Sequence, residues 1–563
     1  GQQRNMVHAP QSTTLSAQAT AETIPGGQTP LRASMPRITL VESDAADDSV
    51  RGVAVSAFNM RHIARSTTAR GLLTAFDAPE NAEWRPLSRG YDGALGEVFR
   101  NRLWLEQVYN PFDEVRHTTK TRRRRHRRWR LDDSTIWRPR KLHGNSLDYY
   151  ETDSSMRTIF DSDWQFASAG IAKVIQRADI HGGSWVDSDG NGLHDSVDDA
   201  ADVLWKHMRT IYGAFDYYST LFDTGKDAHG EVDVFNMTWS SYMEFARDCE
   251  LDSPASSINH EQIDMIWVAV NSLPHAFEQL RLQDKWNHPR RMCRHEFLQA
   301  LVRIAVELHI TRGAEKTVAS AVDRLCLMIK RFLPPEALQD SNEFRKTACY
   351  NELCDRALCR QQASLRAIYA VYAKVNRNLG DELQDSTKIS IGEWLSLLDD
   401  ANLFQSGQLS QFGAKMIFRW SMIRARPDHS AASERKMRQL SFVDFCEALV
   451  RVACTMALPT EAELEAANAF DAGEYLHALE DAGELQDFVD ANKVGWQGRP
   501  REHVSRCVNH LVCLLVRTMK QDVYNKKLSL SKDAIVAVVH EPLTESEVAQ
   551  YVQRRQQGVL TFH

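Results

Sequence analysis

Glu296-Phe-Leu-Gln-Ala-Leu-Val-Arg-Ile-Ala305 and Asp444-Phe-Cys-Glu-Ala-Leu-Val-Arg-Val-Ala453 are one pattern written twice, Phe445 standing 148 residues after Phe297. Each carries apolar residues at the spacing of a helix with a buried face. Upstream, Met265-Ile266-Trp267 matches Met416-Ile417-Phe418 at an offset of 151. Further upstream, Met237, Trp239, Tyr242, Met243, Phe245, Asp248 and Leu251 match Ile389, Ile391, Trp394, Leu395, Leu397, Asp400 and Leu403 at 152. Downstream, Val318 to Leu325 matches Val504 to Leu511 at 186, because the second copy carries an extra segment after Pro459. Four blocks in one order with drifting offsets are an internal duplication.

The periodicity predicts helices near 205–222, 237–251, 263–271 and 295–309 in the first copy, and near 364–376, 391–403, 413–423 and 442–456 in the second. A loop-closing pattern recurs between them: an aliphatic residue, three others, a polar or acidic residue, then an aromatic. Met292 to Glu296-Phe297, Leu440 to Asp444-Phe445 and Ile389 to Glu393-Trp394 obey it, and Met237 to Ser241-Tyr242 nearly does. In the second half of an EF-hand the acid stands at loop position 12 and the aromatic starts the exiting helix. The chain therefore resembles the EF-hand superfamily over about 205–310 and 364–456, and its exit helices are similar to those of EF-hand-like structural proteins of the ciliary and flagellar axoneme.

The resemblance implies a mainly α fold of two tandem, duplicated EF-hand-pair domains, with a long irregular N-terminal arm and a helical C-terminus. Met237 should meet Met292, and Ile389 should meet Leu440, in short antiparallel contacts. The expected layout is a tail over 1–50, a basic and aromatic arm over 51–160, a first repeat unit over 161–340, a second over 341–458, an acidic helical insertion over 459–500, and C-terminal helices over 501–563 that complete the second unit.

A Ca²⁺ loop needs oxygen ligands at positions 1, 3, 5, 7, 9 and 12, with Gly at 6. Counting back from Glu296 puts Lys285 first and Arg290 where Gly belongs; from Asp444 the set is Ser433, Arg435, Met437 and Arg438. From Glu393 it is Glu382, Gln384, Ser386 and Thr387, and the loop before Ser241 lacks its last carboxylate. These loops read as structural. One other segment spells the ligand set, with Asp187, Asp189, Asn191, Asp195 and Asp198 at the side-chain positions, Gly192 at the turn and the Leu193 carbonyl between. His194 at position 8 and the short Asp198 at position 12 depart from the pattern. Ca²⁺ is the candidate ligand there; the competing reading is an Asx/Gly turn capping a helix that starts near Asp198.

Composition excludes several classes. Over 563 residues, 43% hydrophobic and 25% charged are globular values, and 68 Lys plus Arg against 75 Asp plus Glu gives −7, so no global basic field points to nucleic acid. No apolar run reaches the ~20 residues of a membrane span. The ten cysteines, all at or beyond Cys249 and without a CxxC pair, read as reduced, mostly buried thiols of an intracellular protein. No GxxxxGK[ST], GxGxxG, GxSxG or HExxH is present, so catalysis has no motif behind it.

Two charged segments remain. Lys120 to Arg130 holds eight Lys or Arg in eleven residues, Arg122, Arg123, Arg124, Arg125, Arg127, Arg128 and Arg130 among them, and no acid. It reads as the docking element of the arm for an acidic protein surface, such as tubulin and neighbouring axonemal proteins; a nuclear-localisation signal or nucleic-acid contact is the weaker alternative. Glu461 to Trp496 holds ten acids and one Lys493, and reads as an acidic helical hairpin broken at Gly473 and Gly483. The whole points to a non-catalytic scaffold of a cytoskeletal assembly in the cilium or flagellum, or alternatively to a calcium-responsive adaptor sensing through 187–198.

Overall fold

The computed structural model describes residues 129–141, 149–179, 188, 194–222, 232–252, 258–272, 290–374, 387–424, 437–496, 498–520 and 541–557. All lie in the compact unit Thr121–His563. The described chain is mainly helical, and its β pairing includes two isolated antiparallel bridges, Met237 to Met292 and Ile389 to Leu440. Both are the bridges expected from the aliphatic loop positions. Met237 and Met292 exchange both backbone hydrogen bonds at 2.8 Å, and Ile389 and Leu440 exchange theirs at 3.1 and 2.8 Å.

The first half comprises α1 (Asp153–Ala178), α2 (Asp195–Lys206), α3 (Met208–Leu221), α4 (Trp239–Asp248), α5 (His260–Asn271), α6 (Arg294–Ala305) and α7 (Val318–Phe332). The second comprises α8 (Glu352–Arg360), α9 (Gln362–Tyr372), α10 (Ile391–Asp400), α11 (Gln411–Ser421), α12 (Phe442–Thr455), α13 (Glu461–Ala467), α14 (Ala472–Ala482), α15 (Leu485–Asn492), α16 (Val504–Met519) and α17 (Glu545–Gln556). The order α2 to α7 repeats as α8 to α12 followed by α16.

The repetition extends to single hydrogen bonds. Tyr218 Oη donates to Asp248 Oδ2 at 2.7 Å, and Tyr372 Oη donates to Asp400 Oδ2 at 2.8 Å. After each of these aspartates the helix stops on a left-handed residue, Glu250 at φ 54° and Asn402 at φ 62°. The next residue then folds back, Leu251 N onto Ala246 O at 2.8 Å and Leu403 N onto Leu398 O at 3.0 Å, a 6→1 closure that satisfies a terminal carbonyl.

Each half has its own core. The first gathers Phe215, Tyr242, Phe245, Trp267 and Phe297 with the inner face of α1; the second gathers Trp394, Phe418, Phe445 and the apolar face of α16. Burial of this size in aromatic and branched side chains dominates the stability, at ~25 cal/mol per Å² removed from water. The halves meet where α3 packs on α11: Thr220 Oγ1 lies 2.8 Å from Met416 Sδ, and the rings of Phe235 and Phe418 stand 6.5 Å apart.

Three expectations need correction. Helix α1 begins at Asp153, inside the stretch assigned to an extended arm. Thr152 Oγ1 accepts from Ser155 N at 3.1 Å and Ser155 Oγ accepts from Thr152 N at 3.0 Å, a reciprocal cap that fixes the start. Within 129–141 the chain makes two 3-10 turns, Leu131–Asp133 and Arg138–Arg140, and buries Ile136 and Trp137 in the second core. The acidic insertion is three short helices rather than a hairpin. Its first break is Asn468 at φ 52°; Gly473 sits inside α14, where a Cβ would come within 2.9 Å of Arg517 Cδ, while Gly483 at φ +75° does end that helix.

Candidate functional site

The acid at the last loop position has a local task in this structure. Glu296 Oε2 accepts from Cys293 N at 2.8 Å, Glu393 Oε2 from Ser390 N at 2.8 Å, and Asp444 Oδ2 from Ser441 N at 3.0 Å. Each carboxylate thereby closes a capping box at the N-terminus of α6, α10 or α12. In the fourth loop Thr238 Oγ1 accepts from Ser241 N at 3.2 Å. The pattern of aliphatic residue, acid and aromatic is therefore satisfied by bridge, cap and core together, and the negative charge also suits the positive end of the helix.

Asp444 carries a second partner that places an upstream segment. Arg140 Nη2 donates to Asp444 Oδ1 and to Ser421 O, both at 2.8 Å, while its Nη1 donates to Tyr350 Oη at 2.8 Å and to Glu447. Glu447 is fully buried. It also accepts from Arg345 Nε at 3.0 Å and from Arg451 Nη2 at 2.6 Å. Arg345 Nη2 donates to Trp420 O at 2.9 Å and Met422 O at 3.1 Å, and its Nη1 donates to Asn342 Oδ1 at 3.1 Å. Burial alone would raise the Glu447 carboxyl, but Arg345, Arg140 and Arg451 outweigh it and bring it down to about 2.

A second buried acid, Asp216 on α3, pairs with Arg419 and Arg424 across the junction of the halves. Burial opposes its charge, and the two guanidiniums hold its carboxyl below the usual range. In the first half Asp163 takes Arg294 and accepts from Tyr212 Oη at 2.5 Å. These three centres are structural ion-pair networks: every acid in them faces a guanidinium, which leaves none poised as a free general base.

Of the residues expected to hold Ca²⁺, Asp195 and Asp198 are described; Asp187, Asp189, Asn191 and Leu193 lie outside the described residues. Helix α2 starts at Asp195 with His194 as its cap, so Asp198 falls in the first turn rather than at the start. Asp195 accepts from Ser188 N at 2.8 Å and Ser188 Oγ at 2.7 Å, and these bonds hold its carboxyl below the usual range. Of the basic run, Arg130 is exposed and its N donates to Asp133 Oδ2 at 3.1 Å; Arg122, Arg123, Arg124, Arg125, Arg127 and Arg128 lie outside the described residues.

Sequence reasoning missed Arg140, which bonds Tyr350, Glu447, Ser421 and Asp444. Its signal was its company, Trp137-Arg-Pro-Arg140, rather than charge density. It also missed the Glu447–Arg451 pair, legible as a charged i, i+4 couple on a helix whose other positions are almost all apolar. Among the described residues, two groups bring metal-ligand atoms within 4.8 Å of one another, Cys293 with His295 and Glu296, and Glu461 with Glu502 and His510. In the first, Cys293 Sγ sits 3.2 Å from His295 Nδ1 and 3.3 Å from Nε2, so the sulfur faces the ring between its nitrogens and is not aligned with either lone pair. All ten cysteines are free thiols, eight of them buried. No helix among the described residues is long and apolar enough to cross a membrane. Comparison with protein families, curated proteins and solved structures finds no match.

Proposed function

We propose that the chain is a non-catalytic scaffold built from two tandem EF-hand-like pairs, a component of a cytoskeletal assembly of the cilium or flagellum that docks on an acidic protein surface, tubulin being the candidate, through the basic segment ending at Arg130. The observation that carries the reading is the fate of the last-position acids. Glu296, Glu393 and Asp444 are spent on capping their own helices, and Asp444 also takes a guanidinium. Hands that close on caps, bridges and ion pairs are rigid packing modules. Microtubule co-sedimentation of the full chain, and of a version lacking 117–130, at two salt concentrations tests the docking. Binding that weakens with salt and with the deletion supports it; equal binding of both versions removes it.

A calcium-responsive adaptor is the second reading, favoured by one contact. Asp195 reaches back to Ser188, joining positions 9 and 2 of the Asp-rich segment. Titration calorimetry with Ca²⁺ on the full chain and on Asp195→Asn tests it: a site lost in the variant supports a sensor, and no heat at millimolar Ca²⁺ removes it.

A further inference from the structure

The duplication lets one copy be read against the other. In α12, Arg451 is held by Glu447 one turn earlier. At the same offset of 148 the pair becomes Arg303 and Gln299 in α6, so the carboxylate is gone and the guanidinium remains. Arg303 Nε is buried without a hydrogen-bond partner among the described residues, and Nη2 makes only a long contact to Gly170 O at 3.4 Å. Burial shifts the Arg303 guanidinium pKa downward, since leaving water disfavours the charged form.

Arg303 lies in a cleft of about 220 Å³ between α1, α5 and the turn after α6, walled by Val174, Met265, Ile266, Ala269 and Val306, with Glu307 at its edge. Met265 is 62% exposed, the highest value among the exposed large hydrophobics described, and Val268 beside it is 53% exposed. The equivalent place in the second copy is closed. Met416, the counterpart of Met265, is fully buried. Trp420, the counterpart of Ala269, carries the ring of Trp496 edge-on with centroids 4.9 Å apart. Val494 N donates to Thr455 O at 3.1 Å, and Thr455 is the counterpart of Glu307. Val494 and Trp496 end the acidic insertion that the second copy alone possesses. In the second copy α3 of the first half lies on Met416 and the end of the insertion lies on Trp420, whereas the first copy leaves the corresponding groove open with Arg303 inside.

We infer that the groove between α1, α5 and α6 docks a segment of a partner protein that is acidic and bears an aromatic anchor. The aromatic ring fills the cleft over Met265 and Ala269, where space is left by the small side chain that replaces Trp420. A carboxylate of the same segment meets Arg303 and supplies what Glu447 supplies to Arg451. A cation already half desolvated gives up little hydration on pairing, so the contact adds specificity as well as attraction. The inference stands on the comparison of the two copies and is independent of the cytoskeletal reading.

The probe is a fluorescein-labelled peptide of residues 484–498, the segment that ends over the covered groove, titrated into the full chain and followed by anisotropy. Saturable one-site binding is expected, weakened about tenfold or more by Met265→Glu and by Arg303→Gln, partly kept by Arg303→Lys, and lost when the peptide carries Trp496→Ala. Both substitutions fall on an exposed or half-buried position, and unchanged far-ultraviolet dichroism separates lost binding from lost fold. Absence of saturable binding, or binding indifferent to both groove variants, overturns the inference. Sedimentation of the peptide-free chain supplies the other arm: a concentration-dependent dimer abolished by Met265→Glu assigns the groove to a second copy and overturns the partner reading.

Discussion

Arg140 donates to Asp444 at 2.8 Å across 304 residues of sequence, placing a cation from the N-terminal region on the acid that ends the last loop of the duplication. The same guanidinium reaches Glu447, so one side chain ties the segment 129–141 to α12. Both partners are shielded from water, with side-chain exposures of 4% for Arg140 and 0% for Glu447. A pair of this kind contributes less by its presence than its half-removal costs, because the partner left behind is an uncompensated buried charge.

Arg140→Gln should therefore lower unfolding stability by ~3 kcal/mol or more, read as a shift of the urea midpoint at constant slope. Arg140→Lys should recover only part of it, since a single ammonium cannot bond Asp444, Glu447, Ser421 and Tyr350 from one place. A lysine variant as stable as the parent would show that the fork geometry is irrelevant.

Glu447 should make the fold acid-sensitive in a defined window. Its carboxyl is depressed in the folded chain, from 4.5 to about 2. A depressed carboxyl contributes its stability in full above the unfolded value, and loses it as pH falls through the folded one. Between about pH 4.5 and 2 the chain should thus lose on the order of a few kcal/mol through this group, and Asp216 shifts in the same direction. Urea unfolding across this range should show the steepest loss there, and Glu447→Gln should be destabilised at neutral pH with a flatter acid limb. A parent whose stability is level from pH 5 to 2.5 would contradict the network.

How much of this was legible depends on the range of the interaction. The helices of both copies, and the bridges Met237 to Met292 and Ile389 to Leu440, follow from periodicity and from aliphatic positions fixed relative to the next acid. These are local signals, carried by neighbours within a few residues. Trp137 falls in the stretch read as a basic and aromatic arm; its place in the second core depends on Tyr350, whose ring lies 5.4 Å away and far along the chain. The Asp444–Arg140 contact was invisible for the same reason, and the acid alone looked like the remnant of a cation loop. The three-helix form of the insertion was missed because Asn468, not a glycine, takes the left-handed turn, and because Gly473 serves close packing against Arg517.

If the last-position acids act as caps, the amide of glutamine should serve almost as well as the carboxylate. Glu393→Gln should change stability by less than ~0.5 kcal/mol, whereas Glu393→Ala should cost ~1 kcal/mol by freeing the Ser390 N–H. Thermal unfolding with Ca²⁺ or with chelator should give the same ordering of the three proteins. A Gln variant as damaged as the Ala variant would mean that the charge, and not the hydrogen bond, is what α10 requires.

The basic arm gives the sharpest test of the proposed docking. The run Arg122 to Arg125 continues through Arg127 and Arg128 to Arg130, which is exposed, and from there the chain enters the core through Ile136, Trp137 and Arg140. The contacts of 129–141 therefore fix the position of Arg130, the described end of the run. Replacing Arg122, Arg123, Arg124 and Arg125 with Glu turns attraction to an acidic lattice into repulsion, so microtubule co-sedimentation should fall by tenfold or more at low salt. The parent should lose binding as salt rises, because screening shortens the field from ~10 Å at 0.1 M to ~3 Å at 1 M. The urea midpoint of the variant should stay at the parent's value, since the substitutions precede the buried anchor. A variant that pellets with microtubules as the parent does, at both salt concentrations, would show that the arm is not an electrostatic anchor.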